Sequence, residues 1–174
     1  MAIGMDDWDQ ILAEHAASVW RTAYRLLGST ADADECMQDA FVSAVRVGSR
    51  EKVRDWGALL RRLATTRSLD RLRRRLAQKA RVSEGIDWEG VPSGGDAPDA
   101  PAQRAELSDC LRRALGRLPP EQAQVFCLRH TEEMSYEEIA DQVQVSVNSV
   151  GVILYRARER LRALLKDLAV EMHR

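Results

Sequence analysis

A helical period runs through most of this chain, and almost nothing in it alternates the way a strand would. In QILAEHAASVWRTAYRLLG the apolar residues Ile11, Leu12, Ala16, Val19, Trp20, Ala23, Leu26 and Leu27 recur every three to four positions, and Gly28 closes the segment. Ser29 or Thr30 can cap a second helix, TADADECMQDAFVSAVRV, whose Asp32, Asp34 and Glu35 oppose the positive end of the helix dipole. After GSREKV the pattern resumes in RDWGALLRRLATTRSLDRLRRRLAQKAR, with Trp56, Leu59, Leu60 and Leu63 as its apolar stripe. AELSDCLRRALGRL follows, apolar at Leu107, Leu111, Ala114, Leu115 and Leu118, and it stops before Pro119 and Pro120. PEQAQVFCLRHTEE is a further amphipathic helix, with Val125, Phe126 and Leu128 as core candidates. The fold class is therefore all-α.

One segment breaks the pattern. SEGIDWEGVPSGGDAPDAPA carries three prolines, several glycines, the acids Glu84, Asp87, Glu89, Asp96 and Asp99, and no Lys or Arg. It reads as a flexible acidic tether, in which Trp88 is an unusual residue for a pure spacer. The chain accordingly divides into a helical domain at residues 1–82, a linker at 83–103 and a second helical domain at 104–174, loosely joined.

The 26 Lys and Arg against 27 Asp and Glu leave no bulk charge to predict a nucleic-acid or membrane partner, so any such case rests on local distribution. The third helix supplies one. Arg67, Arg71, Arg74 and Arg75 share a face by their three- and four-residue spacing, and from Arg61 through Arg62 and Arg73 to Arg81 nine bases face Asp70 as the single local acid. This segment offers a phosphate-binding surface.

The remaining classes are weakly supported. No apolar run approaches the roughly 18–20 residues of a membrane span, and the acidic start MAIGMDDWDQ does not resemble a secretory signal, which predicts a cytoplasmic protein. Cys36, Cys110 and Cys127 are odd in number and far apart, and read as reduced, buried thiols. Cys127 and His130 form a C-x-x-H pair, but it is the one such pair, and His15 and His173 lie far away. A zinc site needs three or four ligands, so neither a metal nor another cofactor is expected. A hydrolase built on His15, Cys127 and His130 lacks any nucleophile elbow, phosphate loop or HExxH, so no enzyme is expected.

The stretch SYEEIADQVQVSVNSVGVILYRARERLR carries the functional signal. Ser135 and Glu138 have capping-box spacing, so a helix starts at Tyr136 with Ile139, Ala140 and Val143 facing inward. Ser146 caps a second helix whose apolar side holds Val150, Ile153 or Leu154, Ala157 and Leu161. Two helices around so short a bend have helix-turn-helix geometry, in which the start of the second enters the DNA major groove. Val147, Asn148, Ser149, Gly151 and Val152 would face the groove, with Tyr155 and Arg156 one turn on. Asn pairs bidentately with adenine, Ser reaches base or phosphate, and Val meets a thymine methyl. Arg158, Arg160 and Arg162 suit phosphates. A free-standing dimeric helix-turn-helix regulator would also use such a pair.

Beyond these motifs, the chain resembles the extracytoplasmic-function group of sigma-70-type RNA polymerase sigma factors. AYRLLGSTADADECMQDAFVSAV is similar to the family's core-binding segment, and WGALLRRLATTRSLDRLRRR to the helix after it. LGRLPPEQAQVFCLRHTEEMSYEEIADQVQVSVNSVGVILYRARERLR follows the family's second domain. The resemblance implies a promoter-specificity subunit without catalytic activity. Its partners would be the β′ clamp helices and the β subunit of core RNA polymerase, promoter DNA, and in many members an anti-sigma factor. Asp34, Glu35, Gln38, Asp39 and Phe41 would bind the clamp helices. Arg61, Arg62, Arg67, Arg71, Arg73, Arg74 and Arg75, with the loop from Arg46 to Val53, would meet the −10 element. Ser146 to Arg158 would read the −35 element, and the acidic linker would pass near the path of nascent RNA. The chain departs from the family at Thr66, commonly Asn, and at Gly151 and Val152, where a basic residue is usual. It departs also at Gln144, where the bend usually has Gly, which implies a less left-handed turn or backbone strain.

Overall fold

The structure is a computed structural model that describes residues 5–83 and 100–172, and the acidic segment with Trp88 lies outside the described residues. Every regular element described is a helix: α1 (Met5–Leu27), α2 (Thr30–Gly48), α3 (Trp56–Ser83), α4 (Ala100–Arg117), α5 (Pro120–His130), α6 (Tyr136–Val143) and α7 (Val147–Met172). None is long and apolar enough to cross a membrane.

The boundaries follow local chemistry. Gly28 ends α1 with φ 66°, a left-handed conformation that costs a glycine little, and its N–H bonds to the Tyr24 carbonyl at 2.8 Å. Ser29 caps α2 through its side chain, and Asp55 caps α3, accepting from the Ala58 N–H at 2.8 Å. α5 starts on Pro120 but stops at His130, three residues short of the expected Glu133. There Thr131 and Glu132 both turn back onto the Cys127 carbonyl, and Glu133 adopts φ 56°.

α1, α2 and α3 form a three-helix bundle. Ile11, Val19, Ala40, Ala44, Leu60 and Ala64 fill its far end, closed by Trp8 edge-on to Trp56 at 5.0 Å. α4 to α7 form a second bundle, in which Val125, Leu128, Met134, Ile139, Val150, Ile153 and Leu154 hold the two short helices against α7. Leu107 and Leu111, expected on the buried side of α4, are exposed. The buried stripe runs instead through Cys110, Ala114, Leu115 and Leu118, because α4 turns that face toward both α3 and α7.

The two bundles are not loosely joined. One core runs through both, from Ala23, Leu26, Leu27, Cys36, Leu69 and Leu72 to Ala114, Leu115, Leu118, Cys127, Leu161 and Leu168. Ala58 of α3 is buried in the second bundle's own cluster. Polar pairs cross the same seam. The Thr22 hydroxyl donates to Glu132 at 2.9 Å, Arg25 to the Thr131 carbonyl at 3.0 Å, and Gln124 to the Thr66 hydroxyl at 2.9 Å.

Two outcomes follow. The α6–α7 bend passes through Gln144 at φ 58°, ψ 48°. The turn is thus left-handed, as with glycine, and carries the strain that glycine avoids. Gln144→Gly should stabilise the protein by about 0.5–1 kcal/mol in urea unfolding. A loss would mean that the Gln144 side-chain bond to the Asp141 carbonyl outweighs that strain. The second concerns Glu132, whose carboxyl burial pushes above its ordinary value, against the opposing pull of Thr22, Arg25 and Arg61. A raised carboxyl favours the fold while protonated, and that contribution disappears as pH rises from about 4.3 through the raised value. Glu132→Gln should therefore gain thermal stability relative to the parent as pH rises through this window. A constant difference across pH would contradict it.

Candidate nucleic-acid interface

The helix-turn-helix is built as its spacing requires. The Glu138 N–H donates to the Ser135 hydroxyl at 3.1 Å and the Ser135 N–H to the Glu138 carboxylate at 2.7 Å, so two donors orphaned at the start of α6 are satisfied. Arg129 sets the approach to α6 by donating to the Met134 carbonyl at 2.9 Å while lying over the Tyr136 ring. Ser146 caps α7, accepting from the Ser149 N–H at 3.1 Å, and the two hydroxyls meet at 2.7 Å.

Val150, Ile153, Leu154, Ala157 and Leu161 are buried, which turns the opposite face of α7 outward. Val147, Asn148, Val152, Tyr155 and Arg156 lie exposed on it, with Ser149 and Gly151 half-buried beside them. Tyr155, 67% exposed, and Val152, 50%, are large apolar side chains left in solvent by a helix that buries the rest of its apolar stripe. A Cβ on Gly151 would meet Tyr136 at an ordinary 3.8 Å. Packing within the protein therefore does not require glycine there, and the bare backbone remains open to close approach from outside. Arg158 turns away from this surface toward His130, 3.4 Å from its Nε2, and Arg162 pairs with Glu159.

The third helix differs from its sequence reading. Asp32 of α2 holds both Arg71, at 2.7 Å, and Arg75, while Glu35 takes a second nitrogen of Arg71. Arg75 also donates to the Leu27 carbonyl, Arg67 to the Ser43 hydroxyl, Arg73 to Asp70 and Arg61 to the Gly57 carbonyl. Arg62 donates to Gln142 of α6. Much of the supposed phosphate surface is thus committed inside the molecule, whereas Arg74 stands exposed. Counting acids along α3 alone missed those that α2 brings against it.

On α2, Asp34, Glu35, Gln38 and Asp39 are exposed, Asp34 accepting from the Trp20 indole at 2.7 Å. Phe41 is partly buried against the N-terminal core. Sequence reasoning missed Val42 and Val45, 51% and 46% exposed. Glu35, Gln38, Val42 and Val45 follow one another at three- and four-residue steps, so they form a single stripe. That spacing was the available signal.

Cys127 and His130 lie one helical turn apart on α5. Cys127 is fully buried, and its burial pushes the thiol up to about 12. The His130 ring packs against Phe126 at a tilt of 44°, with centroids 4.5 Å apart. Among the described residues no group of three or more His, Cys, Asp or Glu is arranged to hold a metal ion.

Comparison with known proteins agrees with this architecture. Residues 11–77 match the model for sigma-70 region 2, and residues 108–161 the model for sigma-70 region 4. The ECF RNA polymerase sigma factor SigE of Mycolicibacterium smegmatis is 32% identical over 92% of this chain, which spans 62% of that relative's length. The RNA polymerase sigma-E factor of Streptomyces coelicolor is also 32% identical, over 90% of this chain and 84% of its own. In fold the chain is similar to the sigma factor RpoE of Bartonella quintana, solved with the anti-sigma factor NepR. The TM-score is 0.54 and identity 23%, over 93% of this chain and 98% of that one. With both regions in order and these relatives matched over most of its length, the chain belongs to the extracytoplasmic-function (ECF) family of RNA polymerase sigma factors.

Proposed function

We propose that this sigma factor reads the −35 element through the exposed face of α7, with Asn148 and Ser149 as hydrogen-bonding readers and Val147 and Val152 as apolar contacts. Tyr155 and Arg156 would meet the adjacent backbone. The observation that carries this is the exposed face at the start of α7, held by two capped helices while the opposite side is buried. The α2 stripe of Glu35, Gln38, Val42 and Val45, with Asp34 and Asp39 beside it, would bind the polymerase clamp. Acidic groups around exposed valines suit a protein partner better than DNA. Arg74 and the exposed Arg46 and Arg50 would face the −10 region, joined by the other α3 arginines once their present partners release them. The reading assigns no catalysis and places the protein in the cytoplasm beside the polymerase. An anti-sigma factor, as bound by the B. quintana protein, is a further partner we infer for this chain.

Run-off transcription with core RNA polymerase and a set of genomic promoter fragments tests this directly. Discrete transcripts should depend on the protein and fall with Asn148→Ala, Ser149→Ala. Gly151→Ala is the sharper variant. It should keep or raise thermal stability, since alanine is the better helix former by about 0.8–1 kcal/mol, yet lower transcription by placing a methyl group where DNA approaches. Unchanged transcripts from both variants would remove α7 from promoter reading.

A further inference from the structure

Packing along α4 is uneven. At Gly116 it is tight, since a Cβ there would run into Leu76 of α3 and touch Leu72 at 3.5 Å. One turn earlier, a cleft of about 580 Å³ lies between the last turn of α1, the middle of α4 and the end of α5. We propose that this cleft binds a small amphipathic carboxylate, an apolar body carrying a single carboxylate group, with Arg25 and Arg112 as its anchors. Binding is read on the protein itself, so the inference stands apart from the promoter reading above.

The lining divides into an apolar part and a set of donors. Leu26, Leu111, Leu115 and Phe126 supply the first, and Leu111 is the α4 leucine that the core leaves 38% exposed. Arg25 and Arg112 supply the second, against Glu133 as the one carboxylate in the lining. Both arginines are held in place beforehand. The Arg112 guanidinium lies against the bare backbone of Gly28, where a Cβ would come within 2.8 Å of its Cζ. It donates to Asp109 at 2.8 Å, and its Nε–H is buried without an acceptor among the described residues. Arg25 donates to the Thr131 carbonyl at 3.0 Å, and the nearby Glu132 is turned to the Thr22 hydroxyl. A guanidinium has five N–H donors, so these partners leave others to spare. Donors ordered in advance lower the entropic cost of binding. His130 adds one more. Arginine only donates, so the Nε2 that lies 3.4 Å from Arg158 accepts, and the neutral ring carries its proton on Nδ1.

Size and charge select the occupant. Small-molecule sites commonly measure about 300–1,000 Å³, with apolar walls and a few convergent polar groups. Three turns of helix, about 10 Å wide and 16 Å long, displace about 1,300 Å³, so the cleft takes a small molecule rather than a helix of a partner protein. The planar arginine fork fits a carboxylate through two parallel hydrogen bonds. A phosphate monoester would bring up to two negative charges beside Glu133, which disfavours it.

Decanoate is the probe, titrated into full-length protein carrying ¹³C-labelled leucine and valine methyl groups. The methyl signals of Leu26, Leu111 and Leu115 should shift together and saturate. Decanol, which keeps the tail without the charge, and butyrate, which keeps the charge with little tail, should each bind at least about tenfold more weakly, the cost of one lost charge-assisted contact or more. Arg112→Gln should weaken decanoate by a similar factor. Arg25→Gln, at an exposed position, keeps the test open if Arg112 proves necessary for folding. Leu111→Trp should fill the cleft and abolish binding, whereas Leu107→Trp, exposed and outside the lining, should leave it unchanged, with melting temperatures confirming that each variant is folded. Decanol binding as tightly as decanoate would overturn the carboxylate class. Shifts spread equally over the exposed Val42 and Val152 would show detergent-like association and overturn the site. So would a parent protein that shows no saturable shift, whether its own linker or nothing at all occupies the cleft.

Discussion

Everything in this molecule leans on α3. One flank of this 28-residue helix completes the N-terminal bundle, and the other carries the seam to α4, α5 and α6. At about 1.5 Å per residue it is some 42 Å long, enough to run the height of both bundles. Its composition reflects both duties. Leu60 and Ala64 face α1 and α2, whereas Ala58, Leu69 and Leu72 reach clusters shared with the C-terminal helices. A helix buried on two sides has little surface left for charge, so its arginines lie along the margins and find partners there.

That arrangement explains how much was legible in the sequence. Caps, period and the proline pair are local, and residues within one turn of each other report them. Ser29, Ser135 and Ser146 sit where their spacing put them, and most buried positions of α6 and α7 were readable, although Val143 is only partly buried and Ile153 and Leu154, read as alternatives, are both buried. Pairings between helices left no such mark. Asp32 reads as a dipole-compensating acid at the start of α2, and it is also the anchor of two arginines some forty residues away. The α4 stripe shifted from Leu107 and Leu111 to Cys110 and Ala114 for the same reason. A helix presented to two neighbours buries the face between them, and the strength of its apolar period does not say which face that is. Gln144 is the opposite case: the bend kept its geometry without the residue that makes it easy.

The candidate surfaces divide along the same line. The α7 face was legible because burial of one side of a helix fixes what the other side shows. The α2 stripe was half legible, its polar members standing out in sequence while Val42 and Val45, exposed beside them, drew no notice. The basic surface of α3 was the least legible, since the availability of an arginine for phosphate depends on acids that other helices bring to it.

Gly116 against Leu76 ties together two residues that belong to different functional halves of the chain. The halves are consequently not interchangeable parts. A hybrid taking its polymerase-binding half from one relative and its helix-turn-helix half from another would inherit two sound bundles and a mismatched joint. Substitutions at this joint are therefore coupled across it, whereas the outward face of α7, which packs against nothing within the protein, is free of that coupling.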